Sequence, residues 1–265
     1  MTSEATRVLM AVDIGNTAIK IHRYESEDSV SRPLSMHSVR QSNEEAIDGE
    51  LLEQLIPSQS KNVEICWRVS SVNDAMERKF QEFVAAERGS DDYRRLASTD
   101  VPITANVEDV RQVGIDRLLA AVGGNALRQP DKPAIVIDVG SAVTVDFVSD
   151  DGVFQGGVIL PGIAMQARAL AESAEKLPVV DLSSDMSPKC VIGNSTKTAI
   201  RNGLVIGQIG AVREVITRIS QSVEMDLEVF ITGGDMNFFD DLIESNVGFV
   251  EDLVPLGIAL SVAGV

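Results

Sequence analysis

Two short segments of this chain combine a carboxylate with small residues, a pattern that suits the binding of phosphate groups. The first reads Asp13-Ile14-Gly15-Asn16-Thr17 and the second reads Asp138-Val139-Gly140-Ser141-Ala142. Gly and Asn tolerate the positive φ of tight hairpins, and small side chains let backbone N–H groups approach phosphate oxygens. An aspartate beside such a turn can hold a divalent cation, directly or through water. One copy is also compatible with an ordinary hairpin, but two copies indicate a duplicated fold with two phosphate-binding hairpins.

A third segment, Gly114-Ile115-Asp116-Arg117, opens a helix-like run. An acid and an arginine at a helix N-terminus can be purely structural, because the acid complements the helix dipole. Beside two phosphate hairpins a functional interpretation becomes better. Asp116 could take the proton from a substrate hydroxyl, and Arg117 could hold an acidic substrate.

Three glycine-containing junctions lie in the second half of the chain. The double Gly and the Pro-Gly of residues 156–162 suggest close approach of a backbone or a ligand. Ser195 or Thr196 could simply cap the long helix that follows Gly193 and Asn194. The glycines of Thr232-Gly233-Gly234-Asp235 would let a flat base or ribose lie against the backbone.

The sequence lacks the residue patterns of several other kinds of binding and catalytic site. The chain contains neither G-x-x-x-x-G-K-[ST] nor G-x-G-x-x-G. His22 and His37 are its only histidines, which argues against a Ser–His–Asp or metal–His site and leaves a carboxylate as the expected general base. Cys66 and Cys190 have no C-x-x-C spacing, so both are predicted to pack as small hydrophobes in a reducing compartment.

The amino-acid composition limits the classes of protein to which this chain can belong. Of 265 residues 44% are hydrophobic, enough for a sizeable core, and the net charge of −17 argues against binding to nucleic acid or to anionic membranes. No signal peptide and no apolar stretch of membrane-spanning length is visible, so the sequence predicts a cytoplasmic protein.

Apolar runs and turn residues predict three consecutive strands in each half, followed by helices that alternate with strands. Prolines within residues 129–133 mark the expected boundary, which divides the chain into residues 1–129 and 130–265. The three consecutive strands are predicted at 7–13, 17–24 and 33–39 in the first half and at 134–139, 142–149 and 152–159 in the second. Helices are expected, among others, at 43–55, 73–88, 115–128, 195–220, 236–245 and 255–263. This order is that of a ribonuclease-H-like half, and two such halves make an α/β, actin and sugar-kinase-type duplicated fold with a nucleotide cleft between them.

The six motifs, in the order D-I-G-N-T, G-I-D-R, D-V-G-S-A, G-G-V-I-L-P-G, G-N-S-T and T-G-G, resemble those of the type III pantothenate kinase family. The resemblance covers most of the chain. It implies ATP-dependent phosphorylation of pantothenate, the first step of coenzyme A synthesis. It also implies Mg²⁺, a monovalent cation (K⁺ or NH₄⁺) and a homodimer with substrate bound near the subunit interface.

The resemblance carries roles over to individual positions. Asp116 is the expected base, Asp13 places the divalent metal, and Asp138 is the monovalent-cation ligand. The residues expected to bind ATP are Asp13, Ile14, Gly15, Asn16, Thr17, Ala18, Ile19, Lys20, Ser141, Gly233 and Gly234. The residues expected to bind pantothenate are Gly114, Ile115, Asp116, Arg117 and Thr196.

The chain departs from the family pattern at a few positions, and two alternatives stay open. Ser141 stands where the family usually has an ATP-binding Thr, and Ser71-Val72-Asn73-Asp74 replaces S-V-V-P. Residues 106–110 lack the aromatic residue often found before G-x-D-R, which motivates a same-fold kinase for another small hydroxy acid. The other alternative is a non-catalytic regulator similar to Bvg accessory factor, against which retention of the aspartates and Arg117 argues.

Overall fold

The computed structural model describes residues 7–25, 35, 37–56, 63–182, 191–242 and 247–262. The chain forms two compact units, the first built from the chain up to Leu127 together with the segment from Asp252 onward, and the second from Arg128–Glu251. Cys190 lies outside the described residues.

The described part of the first unit contains a five-stranded sheet and four α-helices. Its strands are β1 (Arg7–Ile14), β2 (Ala18–Glu25), β3 (His37–Ser42), β4 (Glu64–Ser71) and β5 (Asp92–Arg95). Its helices are α1 (Gly49–Leu55), α2 (Asp74–Glu87), α3 (Ile115–Leu127) and, from the end of the chain, α6 (Leu253–Val262). The strand order is β3-β2-β1-β4-β5, with the first three strands antiparallel and β4 and β5 parallel to β1.

The second unit repeats this arrangement. Its strands are β6 (Ala134–Val139), β7 (Ala142–Val148), β8 (Phe154–Pro161), β9 (Glu228–Thr232) and β10 (Val247–Phe249), and its helices are α4 (Ile163–Ser173) and α5 (Thr196–Val223). The strand order is β8-β7-β6-β9-β10, again with three antiparallel strands followed by two parallel ones. Because order and strand direction match, the duplication expected from the two hairpins is confirmed.

Alternation along β1 explains how the first sheet is covered. Val8, Met10, Val12 and Ile14 point into a core that includes side chains of α1 and α2, and the residues between them point to the opposite face. Helices α3 and α6 pack against each other and contact the sheet. Asp13 therefore lies on the face opposite that core, at the carboxyl end of β1.

The second sheet has the same division. Ile135, Ile137 and Val139 of β6 pack in a core that also contains Val212 of α5 and Phe239. Asp138 lies between two of these residues and consequently on the opposite face.

Two of the predicted helices and the predicted domain division need correction. The helix predicted at 43–55 begins only at Gly49, with Asp48 as its N-cap, because Asn43 makes contacts to the first hairpin instead. Of the helix predicted at 236–245, the part Met236–Leu242 is a 3-10 helix, and residues 243–245 lie outside the described residues. The terminal helix packs with the first unit and not with the second half, because its apolar residues are buried against α3 and β1.

Candidate active site

The first hairpin is a tight turn with a braced backbone. The N–H of Gly15 donates to the carbonyl of Ala18 at 3.0 Å, and the N–H of Asn43 donates to the carbonyl of Thr17 at 3.0 Å. The Asn43 side chain also donates from Nδ2 to the carbonyl of Gly15 at 2.9 Å. Asn16 and Thr17 are exposed at the tip. The turn is thus held in one conformation with its outer backbone accessible, as a phosphate-binding hairpin requires.

Strand pairing surrounds Asp13 with polar residues. Lys20 of β2 and Ser70 of β4 are its direct partners in the register, so the three side chains share one face of the sheet. The hydroxyl of Ser70 is fully buried and has no hydrogen-bond partner among the residues that the structure describes. A half-buried carboxylate beside a lysine and a hydroxyl is well placed to meet a phosphate and its cation.

Lys20 itself is oriented by a charged cluster. Its Nζ lies 3.5 Å from Oδ1 of Asp252, and Nε2 of His22 lies 3.2 Å from Oδ2 of the same carboxylate. Burial raises the pKa of Asp252, but the hydrogen bond from His22 and the charge of Lys20 outweigh burial and hold the pKa below its usual range. The cluster therefore keeps an ionised carboxylate next to the lysine of the first hairpin.

Asp116 lies in the first turn of α3, as the sequence predicts. Its Oδ1 accepts a hydrogen bond from the backbone N–H of Arg117 at 2.9 Å. Burial raises the pKa of the carboxyl, and the hydrogen bond and charge of Arg117 only partly counteract it. A Cβ at Gly114 would lie 2.5 Å from Oδ1, so a side chain at this position would force the carboxylate to move. An aspartate with a raised pKa is suited to accept a proton.

A cavity of about 430 Å³ lies in the first unit next to the start of α3. It is lined by Ser71 and Val72 after β4, by residues 95–98 after β5, and by residues 113–115. The Ser98 hydroxyl donates to the carbonyl of Val113 at 3.0 Å, which joins two of these segments. Its volume is within the range of about 300–1,000 Å³ that is typical of small-molecule sites.

The second hairpin is braced from two directions. The N–H of Gly140 donates to the carbonyl of Ala142 at 3.0 Å, which closes the turn. The N–H of Gly162, after β8, donates to the carbonyl of Ser141, and that of Asp235, after β9, donates to the carbonyl of Val139, both at 3.1 Å. The glycine-rich junctions of the sequence therefore contact the second hairpin.

Asp138 pairs with Thr144 of β7 and Thr232 of β9, so the carboxylate shares its face with two hydroxyl side chains. Gly233 lies against it with φ at +100°, and a Cβ there would lie 2.5 Å from Oδ1 of Asp138 and would also collide with the carbonyl of Val139. Only glycine permits this approach. Asp138 therefore has hydroxyl side chains as neighbours on its face, and carboxylate and hydroxyl oxygens are of the ligand type that hard cations prefer.

Thr196 is the first residue of α5, but Ser195 is the residue that caps the helix. The Oγ of Ser195 accepts a hydrogen bond from the N–H of Thr198 at 3.2 Å. Thr196 remains exposed and outside the cap.

The structure brings some of the expected residues together within a unit. The hairpin of residues 13–20 and the segment of residues 114–117 belong to the first unit, whereas Asp138, Ser141, Gly233, Gly234 and Thr196 belong to the second. Sequence reasoning missed Asn43, Ser70 and Arg95. Their positions depend on strand pairing and on the cavity wall, for which the local sequence has no signal.

Two further observations limit the possible sites. No group of three or more His, Cys, Asp or Glu side chains among the described residues is arranged to hold a metal ion. No helix in the described part of the chain is long and apolar enough to cross a membrane.

Comparison with solved structures supports the architecture. The chain is similar to a glucokinase from an Antarctic psychrotroph, with a TM-score of 0.50 at 10% identity, over 97% of this chain and 99% of that chain. It is also similar to a proposed 2-dehydro-3-deoxygalactonokinase from Sinorhizobium meliloti, with a TM-score of 0.52 at 11% identity, over 97% and 98% of the two chains. At these identities the likeness concerns the fold alone, and it confirms an actin and sugar-kinase-type fold.

Sequence relatives define the family. A type III pantothenate kinase of Desulfosudis oleivorans is 33% identical over 86% of this chain and 88% of its own length. Another, of Rhodopirellula baltica, is 31% identical over 92% of this chain and 94% of its own length. The family model of type III pantothenate kinase matches residues 9–218, which include both hairpins, Asp116 and Thr196. With this match across most of its length, the chain belongs to the type III pantothenate kinase family.

Proposed function

We propose that this protein transfers the γ-phosphoryl group of ATP to the primary hydroxyl of pantothenate, the first step of coenzyme A synthesis. The observation that carries this proposal is Asp116, a largely buried carboxylate of raised pKa whose helix begins at the wall of a cavity of ligand size. Family membership supplies the reaction class, and the cavity supplies room for a small acceptor.

Asp116 acts as the general base in this proposal. Phosphoryl transfer depends mostly on positioning and on charge stabilisation. The hydrogen bond from the Arg117 N–H fixes one carboxylate oxygen, and the other oxygen is available to orient the acceptor hydroxyl and take its proton. Gly114 and Ile115 line the cavity and form its wall on this side. Arg117 then lies near the reacting end of the acceptor, where it can bind the acceptor or the transferred phosphate.

The first hairpin binds the ATP phosphates in this proposal. The exposed turn presents backbone N–H groups, and Lys20 brings a positive charge held at 3.5 Å from Asp252. Asp13 is the carboxylate that would hold Mg²⁺. One carboxylate is sufficient, because Mg²⁺ is usually bound by one or two protein carboxylates together with substrate phosphates and water. The bound ion would neutralise phosphate charge.

The second unit contributes the remaining ATP contacts. Ser141 presents a hydroxyl in the second hairpin, and Gly233 and Gly234 belong to the turn that packs against this hairpin, where we expect the nucleoside to bind. Asp138 is the proposed ligand of K⁺ or NH₄⁺, and its carboxylate shares one face of the sheet with the side chains of Thr144 and Thr232. The cation would offset negative charge in a protein whose net charge is −17.

A homodimer is proposed as the working assembly, with a second subunit completing the pantothenate pocket and Thr196 among the substrate contacts. Support comes from the distribution of large exposed apolar side chains, which is strongly uneven in the described residues. Val72 is the one such side chain in the first unit, and those of the second unit are Val158, Ile159, Met165, Leu170, Val179, Val191, Ile192, Ile206 and Met225. Contiguous apolar patches commonly mark interfaces, and we infer that part of this set forms one.

Acceptor-dependent ADP release tests the function directly. Purified protein is assayed with MgATP and pantothenate, with matched reactions that contain no acceptor or another small hydroxy acid. Turnover that depends on pantothenate supports the proposal. Faster turnover with another hydroxy acid would identify a kinase of different specificity, and the absence of acceptor-dependent turnover would favour a non-catalytic role.

We propose the cytoplasm as the compartment of this protein, since ATP is available there and the buried Cys66 is a free thiol.

A further inference from the structure

Arg95 stands out on the wall of the cavity in the first unit. Among the described residues that line this cavity, most of which are apolar, it has the one charged side chain. Neither the hairpins nor the segment that contains Asp116 includes it. A single cation in a mostly apolar pocket favours a negatively charged ligand group.

The guanidinium of Arg95 is held between a buried and an exposed acid. Its Nη1 lies 3.7 Å from Oε2 of Glu77, whose side chain is only 6% exposed. The Tyr93 hydroxyl donates to the other oxygen of Glu77 at 2.9 Å, which fixes this acid in place. Glu77 therefore orients the guanidinium of Arg95. Because this acid is buried, a ligand carboxylate cannot easily take its place.

The second acid is different. Nη2 of Arg95 donates to Oδ1 of Asp74 at 2.6 Å, but the Asp74 side chain is 75% exposed. Exposed ion pairs contribute little free energy, typically about 0–1 kcal/mol. Because the Arg95 side chain is itself 44% exposed, a ligand carboxylate in the cavity can reach the planar guanidinium and displace Asp74.

The proposed substrate has two chemically different ends. Its reacting hydroxyl must reach Asp116, and its carboxylate is at the far end of the molecule. Arg117 directly follows Asp116 and so belongs to the reacting end, whereas Arg95 belongs to a different segment of the wall. We propose that Arg95 binds the carboxylate of the acceptor and gives the enzyme its preference for an acid over an uncharged analogue. This inference rests on the proposed function and goes beyond it in naming the residue that sets specificity.

The experiment compares two acceptors, pantothenate and the analogue in which the carboxylate is replaced by a hydroxymethyl group. For each variant the ratio of kcat/KM for the acid to kcat/KM for the alcohol is measured. This ratio is unaffected by the fraction of protein that is folded, because that fraction cancels. Wild-type protein should prefer the acid by roughly 10–100-fold, the value of one charge-assisted contact. In Arg95→Gln the ratio should fall towards one, through a higher KM for the acid and an unchanged KM for the alcohol.

The neighbouring Arg94 supplies a matched control. It is also an exposed arginine paired with an aspartate, with Nη2 at 3.1 Å from Oδ1 of Asp100, but it does not line the cavity. Arg94→Gln should keep the wild-type ratio. Arg95→Lys should restore part of the preference, since it keeps the charge and loses the planar fork. Asp74→Asn should lower the KM for the acid by roughly 2–5-fold, because it removes the competing carboxylate.

The possible failures can be told apart. Wild-type protein that phosphorylates neither acceptor would contradict the proposed function, and the inference with it. Active wild-type protein with the same ratio in Arg95→Gln as in Arg94→Gln would contradict the role of Arg95 and leave the proposed function intact. A KM for the acid that rises in Asp74→Asn would show that Asp74 helps to bind the substrate and would likewise contradict the exchange of carboxylates.

Discussion

His22 and Asp252 are in contact in the first unit, although one belongs to β2 and the other immediately precedes the terminal helix. Nε2 of His22 lies 3.2 Å from Oδ2 of Asp252, and only 6% of the His22 side chain is exposed. Lys20 approaches the second carboxylate oxygen at 3.5 Å. Because Lys20 is also a direct neighbour of Asp13 in the sheet, this contact links the packing of α6 to the proposed phosphate site.

The first prediction concerns the stability that this contact provides. Asp252→Asn should lower the free energy of unfolding at neutral pH by about 1–2 kcal/mol, because a hydrogen-bonded, partly buried charge is lost. The pKa of Asp252 is lowered in the folded state. The contribution is therefore fully present above the ordinary aspartate pKa of about 3.9 and is lost as the pH falls through the folded-state value. Urea unfolding of both proteins at several pH values measures it, and a difference that is the same at neutral pH and at low pH would contradict the ionic contribution.

The second prediction concerns the proposed base. Asp116→Asn keeps the shape and the acceptor for the Arg117 N–H but removes the proton acceptor. Turnover should fall by about 10²–10⁴-fold while ATP still binds. Steady-state kinetics and equilibrium ATP binding test this, with the thermal unfolding midpoint as the folding control. Near-normal turnover would leave Asp116 as a structural residue of the helix start.

The third prediction is a pH dependence of the rate. Burial raises the pKa of Asp116, so its basic form should be lost at a pH above the ordinary value of about 3.9. The logarithm of kcat/KM should therefore decrease on the acid side before the contribution of Asp252 to stability is lost. The residual activity of Asp116→Asn should lack this decrease. An identical acid limb in both proteins would assign it to another group.

The fourth prediction concerns the monovalent cation. Activity should depend on K⁺ or NH₄⁺, and Asp138→Ala should abolish this dependence together with most of the activity. Gly233→Ala should have a similar effect, since its Cβ would lie 2.5 Å from the Asp138 carboxylate. Rates are compared in buffers that contain either sodium alone or potassium at the same ionic strength. Equal rates of the wild-type protein in the two buffers would refute the cation site.

The fifth prediction concerns assembly. The wild-type protein should have a solution mass near twice 28.5 kDa. Ile159→Glu, at a side chain that is 61% exposed on β8, should shift the mass towards the monomer and reduce pantothenate phosphorylation. Ala85→Glu places the same charge at an exposed small apolar residue of α2, in the first unit, and serves as the control. Light scattering and activity are measured on the same samples, and a fully active monomer would contradict the need for a second subunit.

The sequence by itself determined the parts of this protein that depend on local patterns. Apolar runs on either side of Gly15 and Gly140 were sufficient to predict two hairpins, because strand alternation and turn chemistry act over a few residues. The start of α3 at Gly114–Asp116 was also predictable, since helix N-termini have a local signature. Two matching hairpins then implied the duplicated fold, and the order of six motifs implied the family.

Only the tertiary structure decided which distant residues support these motifs. Asn43 looked like part of a helix start, but the pairing of β3 with β2 places it where it can bind the carbonyl of Gly15. The terminal helix joins the first unit because its apolar residues pack on α3, and this packing brings Asp252 to His22. Arg95 becomes a candidate for substrate binding because three separate segments close around one cavity. Such contacts arise from long-range burial, and no short stretch of sequence contains both partners.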